Sequence, residues 1–223
     1  MNLPTIHVID FEGDKHCGIE EWGVATIKNG KIDSIQCNKC QSLTYLHEEI
    51  DNRLCQNSEN NAINNIGNVQ AYDFYHYIPQ FIKLRLSGIF AAHGKGFDNS
   101  LIRMYKKSPG MVPDFSKYNP ESHFNNTTFE IDVKKLPKVS KWGPWLDTHK
   151  IIKKYYQDFD DYSVEAVVKK LKLNALVRKN AKNFQLEKDM QVFHCAAYDA
   201  LAEATILCLI LDMFNITSIE ELL

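Results

Sequence analysis

The segment IHVIDFE, residues 6 to 12, is an apolar strand-like run that closes on two carboxylates one residue apart, and this pairing constrains the chain more than any other feature. Strand side chains alternate between faces, so Val8, Asp10 and Glu12 share one side while Ile9 and Phe11 share the other. Two like charges held that close and partly removed from water are costly, or force one acid to stay protonated, unless something positive lies between them. A divalent cation bound by hard oxygen ligands removes the penalty. The plain alternative is a strand end fraying into solvent with both acids hydrated.

The rest of the chain supplies the setting. Its 223 residues suit one α/β domain with room for an insertion. With 44% apolar and 24% charged residues, disordered and fibrous classes find no support. The first residues, MNLPTIHVIDFEG, lack the basic and apolar pattern of an export signal. The longest apolar run, ATILCLILDMF, is too short and too closely flanked by Glu203 and Asp212 to span a bilayer. The expectation is a cytoplasmic protein with no membrane partner, whose six cysteines remain thiols.

Along the chain, EWGVATIKNGKIDSIQC (21 to 37) reads as two strands joined at Lys28-Asn29-Gly30-Lys31, which with the first strand makes a three-stranded meander. An Asn-rich stretch from Gln56 to Asn68 reads as loop or short helix, and a helical pattern follows from about Ala71 to Leu86. A short strand at Gly88 to Ala92 leads into a helix from Phe97 to Lys106. Residues 108 to 143, rich in Pro, Asn and Ser, predict an irregular insertion. Next come a strand end at Trp145-Leu146, a cap at Asp147 or Thr148, a helix HKIIKKYY, a helix VEAVVKKLKL entered at Ser163, and a long last helix from about Ala196 to Met213. This order predicts an α/β sandwich with a mixed sheet.

Two further acids and a histidine join the first pair. On the last helix Asp199 shares a stripe with Ala202 and Ile206, and the alanines around it allow close approach to a sheet, which would carry the acid to Asp10 and Glu12. His194 precedes Asp199 by five residues, about 140° of helical arc, so it is better placed on the loop entering the helix. There its near-neutral pKa suits taking a proton from water. Asp98 follows the turn Gly94-Lys95-Gly96 and opens a helix, where the macrodipole alone would favour it.

With those residues assembled, the chain resembles the DEDDh (DnaQ-like, RNase T-like) 3′→5′ exonucleases. Three motifs match in order: D-x-E in VIDFEG, an Asp opening a helix in FAAHGKGFDNSLI, and H-x-A-x-x-D-A in HCAAYDA. The sister DEDDy group places a Tyr four residues before the last Asp, where this chain has Cys195, so the histidine variant is favoured.

The resemblance implies an RNase H-like three-layer sandwich. It also implies two Mg²⁺ or Mn²⁺ ions held by Asp10, Glu12, Asp98 and Asp199, with His194 as general base. Release of nucleoside 5′-monophosphates from the 3′ end of DNA or RNA follows from it, with a single-stranded end the easier substrate. Phe11, Gly13, His93 and Phe97 stand where the family meets substrate, although Gly13 replaces the Thr or Ser common there.

Charge is distributed in keeping with a nucleic-acid partner. Residues 1 to 60 hold five Lys/Arg against ten Asp/Glu, whereas residues 134 to 182 hold thirteen against five. Two other readings stay open: a nucleic-acid-binding or interaction module without turnover, and a two-metal nuclease that cuts internally. Cys37 and Cys40, with Cys17 and Cys55 on either side, raise a zinc site as a side possibility. A homodimer is compatible with all of these.

Overall fold

Strand β1 (Ile6–Asp14) lies at the centre of a five-stranded sheet. It pairs antiparallel with β2 (Gly18–Lys28), which pairs antiparallel with β3 (Lys31–Lys39). On its other side it runs parallel to β4 (Ile89–Ala92), which runs parallel to β5 (Trp145–Asp147). The order is β3-β2-β1-β4-β5, a mixed sheet of the RNase H-like kind. This computed structural model describes residues 3–41, 74–105, 142–143 and 145–223, plus the backbone of four two-residue strands between 112 and 139.

The meander follows from its turn. Asn29 and Gly30 both take positive φ, at 50° and 74°, the geometry whose twist matches a two-residue hairpin. Helix α1 (Ile78–Ser87) enters from a short 3₁₀ turn, Phe74–Tyr77, so the expected helix is later and shorter; residues 71–73 lie outside the described ones. Pro79 in the first turn costs no hydrogen bond there. Helix α2 (Gly96–Met104) follows β4. Asp147, rather than Thr148, caps α3 (Thr148–Tyr155), accepting from the Lys150 N–H at 3.3 Å, and Ser163 caps α4 (Val164–Lys170).

Two differences from expectation stand out. The run VEAVVKKLKL stops at Lys170, and a separate helix α5 (Asn174–Asn183) follows. Lys172, at φ 58°, makes the break between them. The insertion expected at 108–143 lies mostly outside the described residues; within it Val112–Pro113 pairs with Lys138–Val139, and Phe124–Asn125 with Glu130–Ile131.

Alternation along β1 sorts the core into two layers. Ile6 and Val8 face a cluster built from α3, α4, α5 and the last helix, α6 (Ala196–Met213). Ile9 and Phe11 face a second, aromatic cluster with Phe74, Phe81, Phe90 and Trp142 beneath α1 and α2. The architecture is three-layered, α/β/α. Helix α6 is buried nearly all round rather than along one stripe, because its start lies on β2 and other helices cover its back.

The close seat of α6 has one strict requirement. A Cβ on Gly23 of β2 would collide with the Ala196 carbonyl and come 2.6 Å from the Ala197 Cα, backbone atoms that cannot swing aside. Gly23→Ala is therefore expected to destabilise by about 1–3 kcal/mol or more through overpacking, measurable as a fall in the thermal midpoint. It should also lower metal affinity, since Asp199 lies three residues from the collision.

Candidate metal centre

The acids meet where β1 outruns its parallel neighbour. Pairing between β1 and β4 ends at Val8 opposite Ala91, and beyond it the Asp98 carboxylate takes over, accepting the Phe11 N–H at 3.1 Å. Asp98 is 3% exposed. From the last helix, Asp199 Oδ2 accepts the backbone N–H of His194 at 2.9 Å. His194 sits on the entry loop with φ 67°, a conformation rarely adopted by residues with a side chain and often retained where function requires it. Its imidazole is exposed at the rim. Glu12, His194 and Asp199 each bring a ligand atom within 4.8 Å of the other two.

Electrostatics make the cluster unstable as bare anions. Burial, then the charges of Asp98, Asp199 and Glu12, hold the Asp10 carboxyl well above the usual range. Burial raises Asp98 to about 7, against the hydrogen bond from Phe11. Burial likewise raises Asp199 to about 6, while the nearby His194 partly offsets the shift. Glu12 is raised by burial and by Asp199. Asp10 Oδ2 and Asp199 Oδ1 are buried with no hydrogen-bond partner, an arrangement that ordinarily calls for an explanation. No lysine or arginine forms an ion pair with these acids among the described residues. A set of hard, unpartnered carboxylate oxygens with no organic cation is the donor set that Mg²⁺ or Mn²⁺ fits.

Two acids absent from the sequence expectation belong to the same place. Glu21 stands directly opposite Glu12 on β2, with its Oε1 buried and unpartnered. Glu203 lies one turn beyond Asp199 on α6 and is 1% exposed. The second was legible in principle, since i and i+4 share a helix face. The first requires the register between β1 and β2, which shifts at the bulge between Glu12 and Gly13.

The expected substrate contacts fall in different positions. Phe11 buries its ring between Phe74 and Phe81, at centroid distances of 5.5 and 5.4 Å, on the sheet face away from the carboxylates, so what it presents toward the site is its N–H. Gly13 has φ 147° and lies so close to the Gly18 carbonyl that no side chain fits. His93 is half-buried, its Nδ1 3.3 Å from Thr148 Oγ1 and its ring edge-on to His149, and burial lowers its pKa to about 4. Phe97, 51% exposed at the start of α2 beside Asp98, offers a free aromatic face.

No protein-family model matches the chain, and no curated protein does. Among solved structures, exonuclease X in complex with 5′-overhanging duplex DNA aligns over 95% of this chain and 94% of its own, at 17% identity and a TM-score of 0.47. The chemistry of the site is carried by its own side chains.

Cys37 and Cys40 pack into different layers. Three residues apart at the end of a strand, they fall on opposite sides of the sheet, Cys37 against the α6 layer and Cys40 in the aromatic cluster. Cys55 lies outside the described residues.

Proposed function

We propose that this chain is a divalent-metal-dependent 3′→5′ exonuclease acting on the 3′ end of DNA or RNA. The observation that carries the reading is the set of buried carboxylate oxygens without partners on β1, β2 and α6, joined by the buried Asp98 of α2 and rimmed by an exposed imidazole. Asp10, Glu12, Asp98 and Asp199 would hold two Mg²⁺ or Mn²⁺ ions. When bound, such a pair polarises a phosphoryl group and lowers the pKa of water.

The chain's own residues have separable tasks. His194, tethered by its N–H to Asp199 and exposed at the ring, is placed to take a proton from the attacking water and pass it to solvent. Asp98 fixes the end of β1 through Phe11 and so sets the direction of Asp10 and Glu12. Phe97 supplies a surface on which a terminal base can stack, which favours an unpaired end. Exposed cations including Lys153, Lys170, Lys172, Arg178 and Lys179 lie on α3, α4 and α5 or just beyond α4, in the layer that covers the same sheet face as the site, and they suit a phosphate backbone. Among the described residues no helix is long and apolar enough to cross a membrane.

The test is incubation with 3′-labelled and 5′-labelled DNA and RNA oligonucleotides, with Mg²⁺, Mn²⁺ or chelator. The expected result is release of 5′-mononucleotides from the 3′ end only when metal is present. Internal fragments would favour an endonuclease instead, and binding without turnover a non-enzymatic module.

A further inference from the structure

Glu203, like Glu21, is an acid of the site that this mechanism does not use. It sits on α6 among alanine, leucine and isoleucine, where packing asks for nothing polar, and it is 1% exposed. Its Oε2 accepts the Thr148 hydroxyl at 3.0 Å, and its Oε1 is buried with no partner. Thr148 is in turn 3.3 Å from His93 Nδ1. Three elements (β4's end, the start of α3, and α6) thus fix the orientation of one carboxyl group.

That group stands one helical turn from Asp199, on the same face of α6. After burial, the charges that most disfavour its ionisation are those of Asp10 and Asp98, with Asp199 following, while the Thr148 hydroxyl works the other way. No lysine or arginine pairs with it among the described residues. A carboxyl buried beside like charges is a costly choice for a helix interior unless a cation recovers the cost.

Resting on the two-cation reading above, we propose that Glu203 is a positioning residue of the cation site, adding negative charge behind Asp10 and so strengthening the hold on divalent metal without touching substrate. Outer partners of metal ligands commonly contribute roughly 10–100-fold to affinity. The experiment is calorimetric titration of Mn²⁺ into the full chain, comparing wild type, Glu203→Gln, Thr148→Val and Asp199→Ala, alongside thermal unfolding without metal. Glu203→Gln keeps the shape and the threonine contact but removes the charge. Its Mn²⁺ Kd should rise roughly 10-fold or more, its metal-free midpoint should not fall, and its KM for an oligonucleotide at saturating Mn²⁺ should hold.

Thr148→Val, which frees the carboxyl from its anchor, should weaken Mn²⁺ binding in the same direction but less. Wild-type Mn²⁺ affinity in Glu203→Gln overturns the proposal, as does a lower metal-free midpoint with unchanged Kd, which would mark a purely structural role. If Glu203→Gln does not fold, unchanged affinity in Thr148→Val overturns it. Equal Mn²⁺ binding by wild type and Asp199→Ala would instead sink the two-cation reading itself.

Discussion

Asp10→Asn should reduce hydrolysis by about 10³-fold or more while leaving the protein folded. Charge stabilisation by bound metal supplies several kcal/mol to a phosphoryl transition state, and about 4 kcal/mol corresponds to three decades in rate. Asp10 is the acid on which Asp98, Asp199, Glu12 and Glu21 all act, so its loss empties the middle of the cluster. Stability should move the opposite way. Replacing a desolvated carboxyl by a neutral amide of the same shape relieves repulsion in the metal-free protein, and its thermal midpoint should match or exceed that of the wild type. Steady-state turnover at saturating Mg²⁺, together with a melting curve in chelator, checks both halves. Full turnover in Asp10→Asn would show that the cluster is not the reaction centre.

Without metal, the raised acids should make stability fall as pH rises from about 4 toward 7, and saturating Mn²⁺ at about pH 7.5 should reverse the loss. The sign follows from proton uptake. An acid whose folded-state pKa is raised keeps a proton that the unfolded chain has already released, so stability is greatest at low pH and is lost as pH climbs toward the folded value. For Asp98 that span runs from 3.8 to about 7 and for Asp199 from 3.8 to about 6, and burial with neighbouring carboxylates shifts Asp10 and Glu203 in the same direction. His7 and His93 work in the other direction, because burial lowers each from 6.5 to about 4 and the unfolded chain binds their protons first. Above pH 6.5 the histidine contribution is spent and only the acids remain. The expected loss is roughly 1–3 kcal/mol, or on the order of 3–10 °C for a domain of this size. Metal at a thousand times its Kd should restore about 4 kcal/mol. A flat pH profile in chelator, measured by scanning calorimetry, would contradict the burial of these groups.

Much of this was readable before any coordinates, for reasons that differ from residue to residue. Period-two alternation in IHVIDFE sets the direction of Asp10 and Glu12 and needs no tertiary information. The same holds for the Asn29-Gly30 turn and for His194, whose spacing from Asp199 excludes one continuous helical face. What stayed hidden depends on partners distant in sequence. Glu21 enters the site only through cross-strand register. Glu203 reads as an ordinary helix acid until Thr148, fifty-five positions away, is seen to hold it. Phe11 looks like a site residue by position, yet which cluster receives its ring depends on Phe74 and Phe81. The break between α4 and α5 turns on one left-handed lysine that no propensity scale marks.

The seat of α6 on Gly23 has a temporal side. The first strand, with Asp10 and Glu12, leaves the ribosome early, whereas His194 and Asp199 arrive with the last long helix and reach their places only when its alanines settle against that glycine. A nascent chain still lacking this helix carries three of the four acids but neither Asp199 nor the seated His194, so on the reading proposed above it does not yet hold a complete site. On that reading, completion of the site becomes a late report that the sheet and its closing helix have been joined correctly.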